Sequence, residues 1–382
     1  MSKIVFVHDA PFFTFEGKVY SSGGFPYGAW NRYLNTFDSV TVLARHGGEL
    51  DALNSKFVLS SGDKVFFKLI NKKNKKYFYD VLNASDGVIV RLPSRLGILA
   101  AACALKLNKP IAAEVVGCAF QGYWYHGSLK GKIYAFYSYF KTKAVISKIR
   151  FVLYVTEDYL QNKYISPENA FSISASNVDL VVDKMDMVPR KLQRSKEEFV
   201  LGVIANYSAN YKGIDTAIYA LSVLLQRGFK VKLQVVGSGN PKNYIKLADR
   251  LNVLNYVEFL GGMLPGKAIN TWLKSVCVYL QPSLTEGLPR SLIEAMNVGC
   301  PAVATKVGGI PELLPLEMLI DKKDHKGLAK KIESILLDSE KYEQLSRDNI
   351  LRAKLYSKEV LTVKRNIFFK AFLKQAINNA KE

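Results

Sequence analysis

The sequence predicts an α/β protein built as two doubly wound domains, and three observations carry that expectation. The chain has 382 residues with 49% hydrophobic content, which is long for one core and points to two domains of about 190 residues each. Short apolar runs of strand length alternate with helical stretches, as in a parallel sheet covered on both faces. The alternation also begins twice, at Ile4 and again at Phe199, on either side of a charged linker from about Asp183 to Glu198.

Ile4-Val5-Phe6-Val7 reads as a buried strand ending at His8-Asp9. A loop holding Ser21-Ser22-Gly23-Gly24 follows, and a helix is expected from near Tyr27. A glycine-rich loop after a first strand lies at the carboxyl edge of the sheet, where doubly wound folds bind ligands. Val40 to Ala44 and Gly87 to Arg91 are the next strands, and an Ala- and Leu-rich helix over 97–107 ends before Lys109-Pro110. Ile111 to Val116 is a strand that opens into the loop Gly117 to Gly122. Phe151 to Thr156 and Ala170 to Ser174 complete the first set. In the second half Phe199 to Ala205, Lys232 to Val236, Val257 to Gly261 and Val276 to Leu280 are strands, and residues 324–382 are helical and basic. These boundaries give an N-terminal domain over 1–185, a C-terminal domain over 196–355 and a terminal helix over 356–382.

Composition limits the function classes. Mean hydropathy of +0.03 describes a folded globular chain, and no apolar run reaches the roughly 18 residues that span a bilayer. The start MSKIVFVHD enters a strand without a signal-peptide pattern. Cys103, Cys118, Cys277 and Cys300 sit in or beside apolar runs without metal-ligand spacing, as reduced core thiols do. Together these features favour the cytoplasm. The formal charge of +20 requires an anionic partner or a solvated basic surface. Lys64 to Lys76 carries Lys64, Lys68, Lys72, Lys73, Lys75 and Lys76 with Phe66, Phe67 and Tyr77. Lys130 to Arg150 carries six cations, no acid, and five aromatics. Such interleaving suits anionic lipid, single-stranded nucleic acid or a merely solvated helix, and the lack of any nucleic-acid module motif favours lipid.

The most informative stretch is Gln281 to Gly299, QPSLTEGLPRSLIEAMNVG. It reads as the end of a buried strand, a polar loop with Gly287 and Pro289, and a helix from about Arg290 to Gly299. A helix N-terminus at the mouth of a parallel sheet presents free N–H groups and the positive end of its dipole, which suits a phosphate. Glu286 and Glu294 flank that spot, and carboxylates there suit sugar hydroxyls. Two glutamates alone are ordinarily a solvated helix face. Lys212, in a loop between strand and helix, is a mobile point charge suited to phosphate, and Gly237 and Gly239 open room for a nucleotide against the backbone.

Taken together, Lys212-Gly213, Gly237-Ser238-Gly239, Val257 to Gly261, Pro282-Ser283, Glu286-Gly287, Glu294-Ala295-Met296 and Gly308-Gly309-Ile310-Pro311-Glu312 closely resemble the donor-site signature of the retaining nucleotide-sugar glycosyltransferases of family four, the group 1 glycosyl transferases. The resemblance is strong from about Val200 to Leu314 and weaker, in the same order, before it. It implies the GT-B fold, two Rossmann-like domains facing each other across a cleft, with the last helix crossing back to the first domain. It implies that Lys212 binds the diphosphate, Glu294 the ribose hydroxyls and Glu286 the donor-sugar hydroxyls, and that Leu260 and Gly261 meet the base edge through main-chain groups. Ser283, Gly287, Leu288, Pro289 and Arg290 belong to the same donor loop, and Gly23 and Gly24 match the glycine pair of the first domain.

Two departures stand out. Many relatives carry an arginine before the lysine, where this chain offers Asn206, so the diphosphate leans on Lys212 or draws on Arg290. Many also carry a histidine at the end of the strand after the Lys-Pro pair. That place falls near Val116, with Glu114 before it and His126 after it; Glu114 is the catalytic candidate, with an ordinary core-edge role as its alternative.

The expected reaction moves a sugar from a UDP- or GDP-linked donor to a hydroxyl of a lipid-linked or polysaccharide acceptor in surface glycan assembly. Configuration is retained and Glu286, Lys212 and Glu114 are the catalytic set. The sequence has no Asp-x-Asp motif, so no metal is expected, and no cofactor. The expected partners are the nucleotide sugar, the acceptor and an anionic membrane surface at the inner face of the plasma membrane, with no nucleic acid. The rivals are a nucleotide-sugar epimerase or phosphorylase of the same fold, and a basic nucleic-acid-binding protein. A nicotinamide dehydrogenase is disfavoured by the missing G-x-G-x-x-G fingerprint.

Overall fold

The computed structural model describes residues 2–54, 56–71, 75–125, 129–180, 188–193 and 198–379. The chain forms two compact units, one of Met1–Phe120, Tyr134–Ala175 and Leu361–Glu382, the other of Gln121–Ile133 and Ser176–Val360.

The first unit contains β1 (Lys3–Phe15), β2 (Lys18–Ser21), α1 (Asn31–Leu34), β3 (Ser39–Glu49), β4 (Val58–Leu59), β5 (Val65–Ile70), α2 (Lys75–Asn83), β6 (Gly87–Leu92), α3 (Arg95–Lys106) and β7 (Ile111–Val115). Two helices, α4 (Ala119–Trp124) and α5 (Leu129–Ile146), run across the division of the chain, followed by β8 (Phe151–Tyr154), α6 (Tyr159–Lys163) and β9 (Phe171–Ser174). The parallel strands lie in the order β5-β3-β1-β6-β7-β8-β9, while β2 and β4 form an antiparallel annex on the far end of β1. This is the doubly wound order, and the fully buried runs Ile4 to Val7 and Val88 to Val90 form its centre.

Two expectations change here. The stretch after His8 is not one glycine-rich loop. β1 continues to Phe15, turns at Glu16 (φ 47°) and Gly17 (φ 72°), and returns as β2 with Phe15 opposite Lys18. Positive φ at both central residues is what a two-residue hairpin turn requires, because that twist matches the strands. Gly23 and Gly24 therefore follow a hairpin. The basic-aromatic run from Lys64 also proves to contain a strand. Val65 is buried and Phe67 and Leu69 half-buried on one face, Phe66 and Lys68 are exposed on the other, Ile70 is buried at the end of the strand, and Phe67 packs at 5.1 Å against Phe12. Lys72 and Lys73 lie outside the described residues.

The second unit contains β10 (Phe199–Ile204), α7 (Ile214–Gln226), β11 (Val231–Val236), α8 (Lys242–Arg250), β12 (Val257–Gly261), α9 (Lys267–Ser275), β13 (Val278–Gln281), α10 (Arg290–Asn297), β14 (Ala302–Thr305), β15 (Leu319–Ile320), α11 (His325–Leu337) and α12 (Ser339–Lys354). Its six parallel strands lie in the order β12-β11-β10-β13-β14-β15. The order reverses between β10 and β13, which makes the carboxyl ends of those two strands the switch point where such sheets bind ligands.

The last helix, α13 (Lys358–Asn379), begins in the second unit and continues in the first from Leu361. Phe368, Phe369 and Phe372 are fully buried there. Phe369 lies 5.3 Å from Tyr33, and Phe372 lies 6.2 Å from Phe37 and 5.5 Å from Phe151.

Candidate active site

At the switch point of the second unit, the β10–α7 loop and the β13–α10 loop meet. The contact depends on glycine. Gly213 has φ +72°, and a Cβ there would stand 2.0 Å from the Pro282 carbonyl oxygen. Only a residue without a side chain permits this approach. Leu284 N–H donates to the Tyr211 carbonyl at 2.7 Å, and Gly309 N–H donates to the Gly287 carbonyl at 2.7 Å, so the loop is held from both sides.

This packing places the Lys212 ammonium 2.7 Å from Glu286 Oε1. The same carboxylate oxygen accepts from Ser283 Oγ at 2.8 Å and from Gln281 Nε2 at 3.0 Å. Gln281 is the node of the network: its Oε1 accepts from the Tyr279 hydroxyl at 2.9 Å and from Ser291 Oγ at 3.1 Å. Burial raises the Tyr279 phenol, which keeps it a neutral donor. One strand end, one loop and the first turn of α10 are thereby fixed around the Lys212–Glu286 pair.

Two helices start at this point. α7 begins after Gly213 and α10 after Pro289, and neither has a side-chain cap. Their first backbone N–H groups and dipoles favour an anion. Glu294, one turn into α10, is half-buried and makes no hydrogen bond or ion pair among the described residues. Burial raises its pKa, with the Arg290 guanidinium pulling the other way. A carboxylate withdrawn from water without a partner is poised for hydroxyl donors.

The glycines near β11 serve first to let backbone segments meet. A Cβ on Gly237 would fall 1.7 Å from the Ala205 carbonyl oxygen, so this residue allows β10 and β11 to converge. Gly239 has φ +109° beside Ser208. Asn206 is engaged within its own loop, accepting from Ser208 N–H at 2.8 Å, and ties it to the loop after β11 by donating to Ser238 Oγ at 3.3 Å. Leu260 is exposed at the end of β12. Gly261 N–H donates to the Tyr207 hydroxyl at 3.1 Å, which itself donates to the Val235 carbonyl at 2.9 Å. Leu288 is buried, Arg290 exposed. Lys212, Ser283, Glu286 and Gly287 are thus one cluster, and Glu294 lies on the helix that follows it.

The remaining candidates belong to the first unit. Gly23 (φ +88°) and Gly24 lie in the bend after β2, with open space where a side chain would project. Glu114 is buried near the end of β7, its Oε1 accepting from the Tyr33 hydroxyl at 2.8 Å and its Oε2 paired with Arg91 at 3.0 Å. Arg365 adjoins this group, pulled down to about 10 by burial and by Arg32. Both Glu114 oxygens are committed inside the unit, which is the core-edge arrangement. His126 lies outside the described residues. Sequence reasoning assigned no role to Gln281 or Tyr207. A polar residue closing the apolar run V-C-V-Y-L at a strand's carboxyl end was the available signal for Gln281.

The model of the glycosyl transferases group 1 matches residues 185–352, which hold the whole cluster. Over 381 residues the chain is 34% identical to Protein CapJ of Staphylococcus aureus, covering 95% of this chain and 94% of CapJ. The chain is a group 1 glycosyltransferase. The amylovoran biosynthesis glycosyltransferase AmsK of Erwinia amylovora is 36% identical to the enzyme over 109 residues, 27% of each chain. Among solved structures, sucrose-phosphate synthase of Thermosynechococcus elongatus matches the enzyme with TM-score 0.70 at 16% identity, over 98% of this chain and 100% of that one. HepE of Anabaena, solved in complex with UDP-glucose, matches with TM-score 0.68 at 16% identity, over 97% and 100%. These likenesses place the glycosyltransferase in the GT-B fold.

Proposed function

We propose that the enzyme transfers a sugar from a nucleoside diphosphate sugar to an acceptor hydroxyl, with retention of configuration, in the assembly of a surface polysaccharide. The observation that carries this is the Lys212–Glu286 pair at the switch point, held by Gln281 and Ser283 beside two helices without side-chain caps. Lys212 and the α10 N–H groups meet the charge that grows on the departing diphosphate. Glu286 orients the lysine and accepts from hydroxyls of the donor sugar, and Glu294 accepts from the ribose.

In the reaction the bond between the anomeric carbon and the diphosphate oxygen breaks, and the acceptor oxygen bonds to that carbon on the same face. The acceptor proton passes to the leaving phosphate oxygen, so the protein supplies no nucleophile. With the diphosphate charge met by Lys212 and the helix N-terminus, no divalent ion and no cofactor enters the scheme. Glu114, with both oxygens engaged, is given no step in it. The polysaccharide assignment draws on AmsK, named for amylovoran biosynthesis, and a UDP-linked donor draws on HepE, solved with UDP-glucose; GDP-linked donors stay in the test.

Incubation with a panel of UDP- and GDP-sugars tests the reading. One donor is expected to be hydrolysed slowly without acceptor, equally in EDTA and in magnesium, and proton NMR of the glycoside formed with acceptor is expected to show the donor's anomeric configuration. If no nucleotide sugar binds, and Lys212→Ala and Glu294→Ala leave the protein's behaviour unchanged, the reading fails.

A further inference from the structure

Helix α5 is built inside out. Its buried face consists of small and short residues, Ala135, Ser138, Thr142, Val145 and Ile146. Its large apolar side chains point away from the core: Ile133 is 70% exposed, Phe136 52%, Tyr137 54% and Phe140 62%. Positions 133, 136, 137 and 140 follow the helical repeat and form one stripe, opposite the buried face.

The cations complete the pattern. At 100° per residue Lys132 and Lys143 project about 80° to one side of the stripe, and Lys130 and Lys141 about 80° to the other. Lys141 lies 5.6 Å from the centroid of the Tyr137 ring and Lys132 lies 5.3 Å from that of Trp124. The helix contains no acidic residue. No helix among the described residues is long and apolar enough to cross a membrane. An apolar stripe bordered on both flanks by lysines is the form of a helix that lies in a bilayer interface, its rings among the acyl chains and its ammonium groups at the headgroups.

We propose that α5 docks the enzyme onto an anionic bilayer surface. Charge complementarity selects this occupant. A second copy would present the same acid-free face of a chain with net charge +20, and like charges repel, whereas anionic headgroups attract each flanking lysine. The proposal does not depend on the sugar-transfer reading, because vesicle binding is measured without substrate.

The test is co-sedimentation of the full chain with phosphatidylcholine vesicles, with and without phosphatidylglycerol, at low and high salt. Binding is expected only with phosphatidylglycerol and is expected to weaken with salt. The decisive variant is Phe136→Ser/Phe140→Ser, which leaves the charge unchanged. It is expected to lose about tenfold in vesicle affinity, while its melting temperature stays that of the parent because both rings are more than half exposed. Lys132→Ala/Lys141→Ala/Lys143→Ala is expected to lose a similar factor and most of the salt dependence. Absence of binding at low salt overturns the proposal. So does a Phe136→Ser/Phe140→Ser protein that binds as the parent does, or a parent that sediments as a dimer which that variant dissolves.

Discussion

Lys212 and Glu286 stand 74 positions apart in the chain yet share a hydrogen bond at 2.7 Å, and the properties of single residues at this point set the first predictions. Lys212→Ala removes the charge facing the diphosphate and is expected to lower kcat/KM by about 10²–10³-fold, with Lys212→Arg recovering part of it, in steady-state assays of donor turnover. Glu294→Gln is expected to raise the donor KM by roughly tenfold, since a hydrogen bond to a charged group is lost. Because burial lifts the Glu294 carboxyl, donor affinity should fall on acidification at a higher pH than an ordinary carboxylate would give, and the Gln variant should lose that dependence. His8 makes a separate prediction about stability. Burial first, then Arg91 and Arg45, lower its pKa from 6.5 to about 3. The unfolded chain takes up a proton on this residue below 6.5 while the folded chain does not, so stability falls as pH drops through that window, by up to about 1.4 kcal/mol per pH unit. Urea unfolding at several pH values between 7 and 4 should show a shallower loss for His8→Gln than for the parent.

At the scale of elements, the site depends on two loops that approach within contact of each other's backbone. Gly213→Ala puts a Cβ 2.0 Å from the Pro282 carbonyl in a left-handed conformation. It is expected to cost about 2–3 kcal/mol in urea denaturation and to weaken donor binding in the same protein, since relief requires the Pro282-Ser283 loop to move. The central strands of both sheets were legible as apolar runs, because burial on both faces leaves no polar alternation to confuse them, whereas β14 and β15 were not read as strands. The hairpin of β1 and β2 was not. Its turn is Glu-Gly rather than Asn-Gly, and the nearby Ser-Ser-Gly-Gly was the stronger loop signal. The strand β5 was hidden by the lysines around it, since its apolar run is only six residues long and is interrupted by Lys68.

For the whole molecule, the chain end matters more than its basic composition indicates. Residues from Leu361 onward place Phe368, Phe369 and Phe372 in the core of the first unit. Burying each Phe contributes about 1.5–3 kcal/mol, a sum comparable with the net stability of a domain. Truncation after Val360 is therefore expected to abolish soluble expression, or to leave a protein with a non-cooperative thermal transition in circular dichroism.

The sequence by itself determined the two α/β units, the positions of most strands and the donor-loop signature from Lys212 to Glu312, because each is encoded in local periodicity or in a contiguous string. Only the tertiary structure decided which polar groups meet. It joined Gln281, Ser283 and Lys212 on one Glu286 oxygen and bound Glu114 to Tyr33 and Arg91. It also turned the aromatics of α5 outward. The physical reason is the same in each case. A hydrogen-bond partner or an exposed face is set by how distant segments pack, and a residue's neighbours in sequence do not record it.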